Sequence, residues 1–259
     1  MNFSLLTYNT LFNKAYEKIE TIIKQQNPDI ICLQEVLTSD INLSKLVKFG
    51  YKLADYSNSF IQFGHVYGVA TFYNPSKFEL VYSDSLKMSS NLTEFLFTIP
   101  QLILGINKPK SILRTDFIYR SSKKKIIVCN AHLIVIASNS LRINHIEKAL
   151  NSINITKKTP LIIGGDFNYL PYQRKKLENA MKKYNLVEAT KNIRQTFSPK
   201  GKKEDVSFLQ GFLMRKINHF FGNQMKNDYV FYRSFKKQKT ERLNFHFSDH
   251  FPILSDFTI

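Results

Sequence analysis

The sequence predicts an α/β fold in which two β-sheets pack face to face and helices cover the outside. Three observations lead there. Short runs rich in β-branched and aromatic residues recur along the whole chain, only a few helix-length amphipathic stretches interrupt them, and the runs fall into two halves whose ends deliver acidic or amide residues. At 259 residues the chain is within reach of one large domain, expected to span 1–259. Its 43% hydrophobic and 14% aromatic content provides a sizeable core and excludes a disordered chain.

Residues Phe3 to Tyr8 read as a strand that ends in Thr7-Tyr8-Asn9. A helical pattern from Lys14 to Gln26 follows, with Tyr16, Ile19, Ile22 and Ile23 on one face, and Asn27-Pro28-Asp29 stops it. Ile30-Ile31-Cys32-Leu33 is continuously apolar, as a strand buried on both faces requires, and delivers Gln34-Glu35 at its end. This β-α-β unit puts Asn9 and Glu35 at the same end of neighbouring strands. A helix over Asp40 to Lys48 precedes a meander of Tyr51 to Ala54, His65 to Tyr73 and Phe78 to Tyr82, with Asn74-Pro75 as a turn.

Ser111 to Tyr119 and Lys125 to His132 form a further strand pair, the second ending in Asn130-Ala131-His132, and a helix covers Ser140 to Ile155. The short strand Leu161-Ile162-Ile163 runs into Gly164-Gly165-Asp166-Phe167-Asn168, read as a loop whose glycines allow close approach of a ligand. A helix near Gln173 to Tyr184 leads to extended pieces at Leu186-Val187 and Thr196-Phe197. Asp228 precedes a strand from Tyr229 to Tyr232, and Ser248-Asp249-His250 precedes a last strand from Ile253 to Thr258.

Thirty-seven Lys and Arg against 20 Asp and Glu give a net charge of +17, which favours a polyanionic partner such as nucleic acid or an acidic membrane surface. Surplus lysines on solvated faces are the plainer reading. Cys32 and Cys129 sit inside apolar strands and read as small core residues, neither a disulfide framework nor a zinc site. The N-terminus opens on an alternating strand without a basic region and apolar core, so no secretory signal and a cytoplasmic location are expected. The longest apolar candidate, Phe95 to Ile106, contains Pro100 and Gly105 and falls short of the roughly 20 residues of a membrane helix.

Strand-end positions thus supply Asn9, Glu35, His132, Asp166, Asn168, Asp228, Asp249 and His250: hard oxygen donors and two imidazoles. Each alone has an ordinary reading as a cap, a turn residue or a core histidine. Together, Thr7-Tyr8-Asn9, Leu33-Gln34-Glu35, Asn130-Ala131-His132-Leu133, Gly164-Gly165-Asp166-Phe167-Asn168, Asn227-Asp228-Tyr229-Val230-Phe231 and Ser248-Asp249-His250-Phe251-Pro252 resemble the ordered signature of the endonuclease/exonuclease/phosphatase superfamily, over Phe3 to Thr258.

The resemblance implies a deoxyribonuclease-I-like four-layer α/β sandwich and a magnesium-dependent phosphoesterase, with manganese as a substitute. It makes Glu35 a metal ligand with Asn9 and Asp249 nearby, Asp166 the group that orients or activates water, and Asn168 an amide donor to a phosphoryl oxygen. His250 would face the phosphate, oriented by Asp228, and His132 would serve the leaving-group side. Arg114, at the start of the strand beside that of His132, is a plausible second phosphate clamp, with a solvated arginine as the alternative.

Two departures bear on substrate. The Asn130-Ala131-His132-Leu133 stretch resembles members with Thr-His-Leu or Ser-His-Leu there and speaks against abasic-site repair, and Gly64 to Tyr73 holds no carboxylate to partner His132. Nucleic acid is the leading expected substrate; a phospholipid or sphingomyelin-type diester, a small or inositol phosphate, and a non-catalytic binding module are the alternatives. Apolar insertions near 86–109 and 198–227 either form a small extra core or act as a basic amphipathic lid for an anionic membrane or lipid substrate. The segment Lys191 to Arg242 holds thirteen Lys/Arg against four Asp/Glu.

Overall fold

A computed structural model describes residues 2–62, 64–86, 111–135, 137–153, 155–198 and 225–259. Both insertions expected near 86–109 and 198–227 lie almost wholly outside these residues. Among the described residues twelve strands form two six-stranded mixed sheets. Sheet I has the order β11-β12-β1-β2-β4-β3, built from β1 (Asn2–Asn9), β2 (Ile30–Leu37), β3 (Lys52–Gln62), β4 (His65–Tyr73), β11 (Lys236–Arg242) and β12 (Ile253–Thr258). Sheet II has the order β5-β6-β7-β8-β10-β9, built from β5 (Phe78–Ser85), β6 (Ser111–Tyr119), β7 (Lys124–His132), β8 (Leu161–Asp166), β9 (Val187–Glu188) and β10 (Asp228–Arg233).

Each sheet carries one parallel pair near its centre. In sheet I β1 runs beside β2 with Asn9 opposite Gln34, and in sheet II β7 runs beside β8 with His132 opposite Asp166. Parallel neighbours need a crossover, supplied by α1 (Ile19–Gln26) and α3 (Asn139–Ser152). α1 buries Ile19, Ile22 and Ile23 and ends where Asn27 turns left-handed at φ 43° ahead of Pro28. α3 begins at Ser138, whose hydroxyl accepts the Leu141 N–H at 3.2 Å. The shorter α2 (Asp40–Leu43) and α4 (Arg174–Lys182) cover the flanks.

Three apolar layers follow from strand alternation. Phe3, Leu5, Cys32, Phe117, Val128, Ile162, Val230 and Phe257 fill the space between the sheets. Leu6, Tyr8, Ile31 and Leu33 pack outward on α1, while Ile127, Cys129, Ile163 and Phe231 pack outward on α3 and α4. The result is the expected helix–sheet–sheet–helix sandwich. Both cysteines are buried free thiols that burial pushes up to about 12, which fits core packing.

The structure departs from the sequence reading at several places. The first helix does not begin at Lys14, because Leu11, Phe12 and Asn13 all take positive φ; a short 3-10 turn over Tyr16–Lys18 precedes α1. Likewise, α2 gives way to 3-10 geometry over Ser44–Phe49. β3 continues to Gln62, well past Ala54. β11 was not expected, since Lys236, Lys237 and Lys239 disguise an edge strand, the place where lysines discourage further pairing. Thr196-Phe197 is not a strand but contributes one bridge, Phe197 to His250. No helix among the described residues is long and apolar enough to cross a membrane.

Candidate active site

The ends of β1, β2, β7 and β8, the start of β10 and the turn before β12 converge at one edge of the sandwich. Asn9 closes β1, His132 closes β7, Asp166 closes β8, and Asp228 opens β10 opposite Asp166. All four side chains are buried.

Glu35 reaches this group through a β-bulge. Alternation puts Leu33 outward and Gln34 between the sheets, so a regular strand would aim Glu35 at the helix layer. Instead, pairing with β4 slips between Gln34 and Val36, and Glu35 takes φ 52°, a conformation that costs a residue with a Cβ. Its Oε1 lies 3.6 Å from His132 Nε2. The loop after β1 holds the bulge: Thr10 Oγ1 donates to the Gln34 and Glu35 carbonyls at 3.0 and 3.1 Å, and the Asn13 N–H donates to the Glu35 carbonyl at 2.9 Å. Asn13 Oδ1 takes the Leu37 N–H at 3.1 Å on the far side.

Asp166 is the best-supported carboxylate. Asn9 Nδ2 donates to its Oδ2 at 2.9 Å, and the Asn168 N–H donates to its Oδ1 at 2.8 Å. Asn168, left-handed at φ 48°, donates its side-chain amide to the Leu133 carbonyl at 2.9 Å and to Asp166 Oδ2 at 3.3 Å. Burial raises the Asp166 carboxyl above the usual carboxylate range, with the His250 charge opposing. Gly164 and Gly165 belong to β8 rather than to a loop. The close approach at Gly165 is to a strand: at φ 140° a Cβ there would fall 2.0 Å from the Ala131 carbonyl oxygen. That contact presses β8 onto β7 just before Asp166 and His132.

His250 Nδ1 lies 2.8 Å from Asp228 Oδ2, and its Nε2 lies 3.7 Å from Asp166 Oδ2 and 4.0 Å from Asp249 Oδ1. Burial works to lower the imidazole, but Asp228 and then Asp166 prevail, and it is pushed up to about 10. Nδ1 is thus engaged by Asp228, while Nε2 points toward Asp166 from beyond hydrogen-bond distance. Asp249 is the least buried of the group, its side chain 21% exposed, with the Ser248 hydroxyl on its Oδ1 at 3.1 Å. Asp166, Asp228 and His250 bring one ligand atom each within 4.8 Å, a spacing that could hold a metal. Glu35 and Asp249 add further hard carboxylate oxygens at the same edge, 3.6 Å from His132 and 4.0 Å from His250 respectively. Four carboxylates, from Glu35, Asp166, Asp228 and Asp249, share the edge with His132 and His250, a concentration of acidic groups that a divalent cation would offset.

Residues 6–250 match the family model described as Endonuclease/Exonuclease/phosphatase family. The chain belongs to that family. Among relatives, it is 26% identical over 212 residues to the CCR4-Not complex 3'-5'-exoribonuclease subunit Ccr4 of Kluyveromyces lactis, which covers 64% of this chain. The chain spans only 27% of that relative's length. The human Nocturnin catalytic domain with bound sulfate superposes with a TM-score of 0.72 at 20% identity, covering 99% of this chain and 94% of the other. D. rerio TDP2 complexed with single-strand DNA product gives 0.67 at 13% identity, covering 100% and 99%. At such identities these two likenesses carry the fold alone.

Arg114 does not join this endonuclease/exonuclease/phosphatase site, which corrects its reading as a phosphate clamp. It pairs with Cys129, three residues before His132, and shares the outward face of β6 with Ile112. Its Nε and Nη2 each lie 2.7 Å from the Asp116 carboxylate, and its guanidinium stacks on Tyr82. His132 projects to the opposite face, so no rotamer brings Arg114 to it. The carboxylates facing His132 come from Glu35 and from Asp166, whose Oδ2 lies 3.8 Å away, and not from the β4 stretch.

The family member also contains supports that single-residue reading missed. Gln34 Nε2 donates to Asn130 Oδ1 at 2.7 Å across the two sheets, and Asn130 Nδ2 donates to the Leu33 and Ala70 carbonyls at 3.0 Å each. This pin sits one residue before Glu35 and two before His132. Arg142, buried on α3, donates to the Ile134, Val135 and Ala137 carbonyls and so shapes the segment that leaves His132. Lys226 pairs with Glu188 beneath Asn227-Asp228; burial pulls its ammonium down to about 8 against the pull of that carboxylate. Thr196 Oγ1 accepts the Asn227 and Asp228 N–H groups at 3.0 Å each. Only their position beside the motifs marks these residues in sequence.

Proposed function

We propose that the chain is a divalent-metal-dependent nuclease that hydrolyses phosphodiester bonds in RNA or DNA. The observation that carries the reading is the chain of close contacts at the strand ends, in which His250 is held by Asp228 at 2.8 Å and Asp166 lies between His250 and His132, with Glu35 on the far side of His132. Magnesium, or manganese in its place, would be held by Glu35 with Asn9 and Asp249 and would supply Lewis-acid polarisation of the phosphoryl oxygens.

The residues of the chain perform the rest. His250 Nε2–H donates to a non-bridging phosphoryl oxygen and stabilises the charge that grows there in the transition state. Asp166 accepts a proton from the attacking water; its raised carboxyl is a stronger base than an exposed aspartate, and Asn9 and Asn168 fix its rotamer. Asn168, beside Asp166, can turn its amide to the same phosphoryl group. His132, between Glu35 and Asp166, faces the leaving oxygen. The Ccr4 relative, an exoribonuclease subunit by name, and the net charge of +17 support a polynucleotide substrate.

Purified protein with magnesium, incubated with single-stranded RNA, single- and double-stranded DNA, a phospholipid diester and a simple monoester, tests the proposal. Cleavage of RNA or DNA that is abolished by EDTA and falls at least about 100-fold in Asp166→Asn is expected. Turnover confined to the lipid or the monoester would sink it.

A further inference from the structure

Beside the site, a cleft of about 390 Å3 is lined by Asn192, Ile193, Arg194, Gln195 and Arg242. Two strands of chain that hold His250 also build this cleft. Gln195 immediately precedes Thr196 and Phe197; Thr196 takes the Phe251 N–H at 2.8 Å, and the Phe197 ring packs edge-on against the His250 ring at 4.9 Å. On the other wall, Arg242 at the end of β11 stacks its guanidinium 4.2 Å from the ring centre of Phe251, the residue after His250.

The electrostatics of the cleft are one-sided. Arg242 Nη1 donates to Gln195 Oε1 at 3.4 Å, and the stack on Phe251 holds the plane of the fork. Among the described residues this is the only hydrogen bond of the Arg242 side chain, and neither Arg242 nor Arg194 forms an ion pair. Arg114, Arg120 and Arg174 all have carboxylate partners. A guanidinium carries five N–H donors in a planar fork that fits a phosphate in two-point contact. A fork fixed by an aromatic face gives up less conformational freedom on binding than a solvated one.

We propose that this cleft is an accessory anion subsite which holds a second phosphate of a polynucleotide whose scissile phosphate lies at His250. Arg242 is the oriented donor, Arg194 the second charge, and Gln195 couples them to the Phe197 segment against His250, its Nε2 donating to the Phe197 carbonyl at 3.3 Å. The assignment rests on the nuclease reading, and it makes the enzyme prefer substrates with more than one phosphate.

The test compares wild type with the double variant Arg194→Ala/Arg242→Ala. Both are assayed on single-stranded oligonucleotides of increasing length and on bis(p-nitrophenyl) phosphate, a diester with one phosphate that does not reach the cleft. On oligonucleotides KM rises about tenfold with kcat within about twofold, and the salt dependence of affinity flattens by about 1 to 1.5 in slope for two lost contacts to a single strand. On the small diester both constants stay as in wild type. An unchanged oligonucleotide KM, or equal losses on both substrates, overturns the subsite.

If wild type turns over the small diester but cleaves no RNA or DNA, the nuclease reading fails by itself. The subsite is then read by titrating both proteins with a phosphorothioate oligonucleotide and with vesicles of phosphatidylserine and phosphatidylcholine. Weaker oligonucleotide binding in the double variant upholds it. Equal oligonucleotide binding, or a loss seen only on the vesicles, overturns it.

Discussion

Replacing Asn130 with alanine removes four buried hydrogen bonds that tie sheet II to sheet I, three of them short: two from Nδ2 to the Leu33 and Ala70 carbonyls at 3.0 Å and one from Gln34 Nε2 to Oδ1 at 2.7 Å, beside a long one from Nδ2 to Thr71 Oγ1 at 3.5 Å that is left out of the sum. At about 1 kcal/mol net for each buried bond, the loss is about 3 kcal/mol. Gln34 Nε2 keeps Thr7 Oγ1 at 3.1 Å and the Cys32 carbonyl at 3.2 Å, so its amide is not stranded and the loss stays near that figure. The expected ΔΔG is a large share of the roughly 5–15 kcal/mol that holds a typical domain folded. Urea unfolding followed by circular dichroism measures it as a lower midpoint at unchanged slope. Asn130→Asp, nearly the same shape, faces a carboxylate toward two carbonyl oxygens and is expected to cost at least as much at pH 7. A loss below about 1 kcal/mol in Asn130→Ala would show that apolar packing alone sets the register of the sheets, and that the pin is incidental.

Asp228→Asn removes the carboxylate that does most to lift His250, so its imidazole falls from about 10 toward the ordinary value near 6.5. Because the folded value is the raised one, the stabilisation from this pair is fully present below about 6.5 and disappears as pH rises through about 10; the variant should lose activity near neutral pH, where wild type does not, as a pH–rate profile will show. Thr10→Val frees the Gln34 and Glu35 carbonyls from their hydroxyl donor; a several-fold higher magnesium concentration for half-maximal turnover is expected, with about 1–2 kcal/mol lost in thermal unfolding, and an unchanged magnesium curve would refute the clamp. Arg114→Ala should leave turnover within about twofold of wild type while costing about 1–3 kcal/mol, since among the described residues the buried Asp116 keeps only Lys125 as an ion-pair partner; a collapse in turnover at full stability would restore Arg114 to the site.

Sequence made the site legible where a polar residue ends an apolar run. Asn9, His132 and Asp166 each close a strand, and their meeting follows from two parallel pairs whose crossovers place the strand ends on one side. What it hid falls into two kinds. Gln34 and Asn130 stand inside strands as polar interruptions, and nothing local says that a residue 96 positions away completes the hydrogen bond. Arg114 was misplaced for the opposite reason: its distance along the strand was weighed without its face, although two-residue alternation from Ile112 already turns it away from His132. β11 was lost because lysines mark loops and edge strands alike.

Backbone conformation is the third hidden layer, and it ties the others together. Ten non-glycine residues among those described take positive φ, and Leu11, Phe12, Asn13, Glu35 and Asn168 gather at the one edge that carries the chemistry. Asn27 ends a helix, where an asparagine in that conformation is an ordinary cap. Leu, Phe and Glu gain no such relief, and each such residue costs of order 1–3 kcal/mol wherever the surroundings do not enforce it. Here the surroundings do: Thr10 and Asn13 bond the Glu35 carbonyl, and Asn13 bonds the Leu37 N–H beyond it. The loop after β1 and the bulge in β2 therefore strain and restrain each other, which keeps Glu35 facing His132 in a strand whose alternation would point it toward α1.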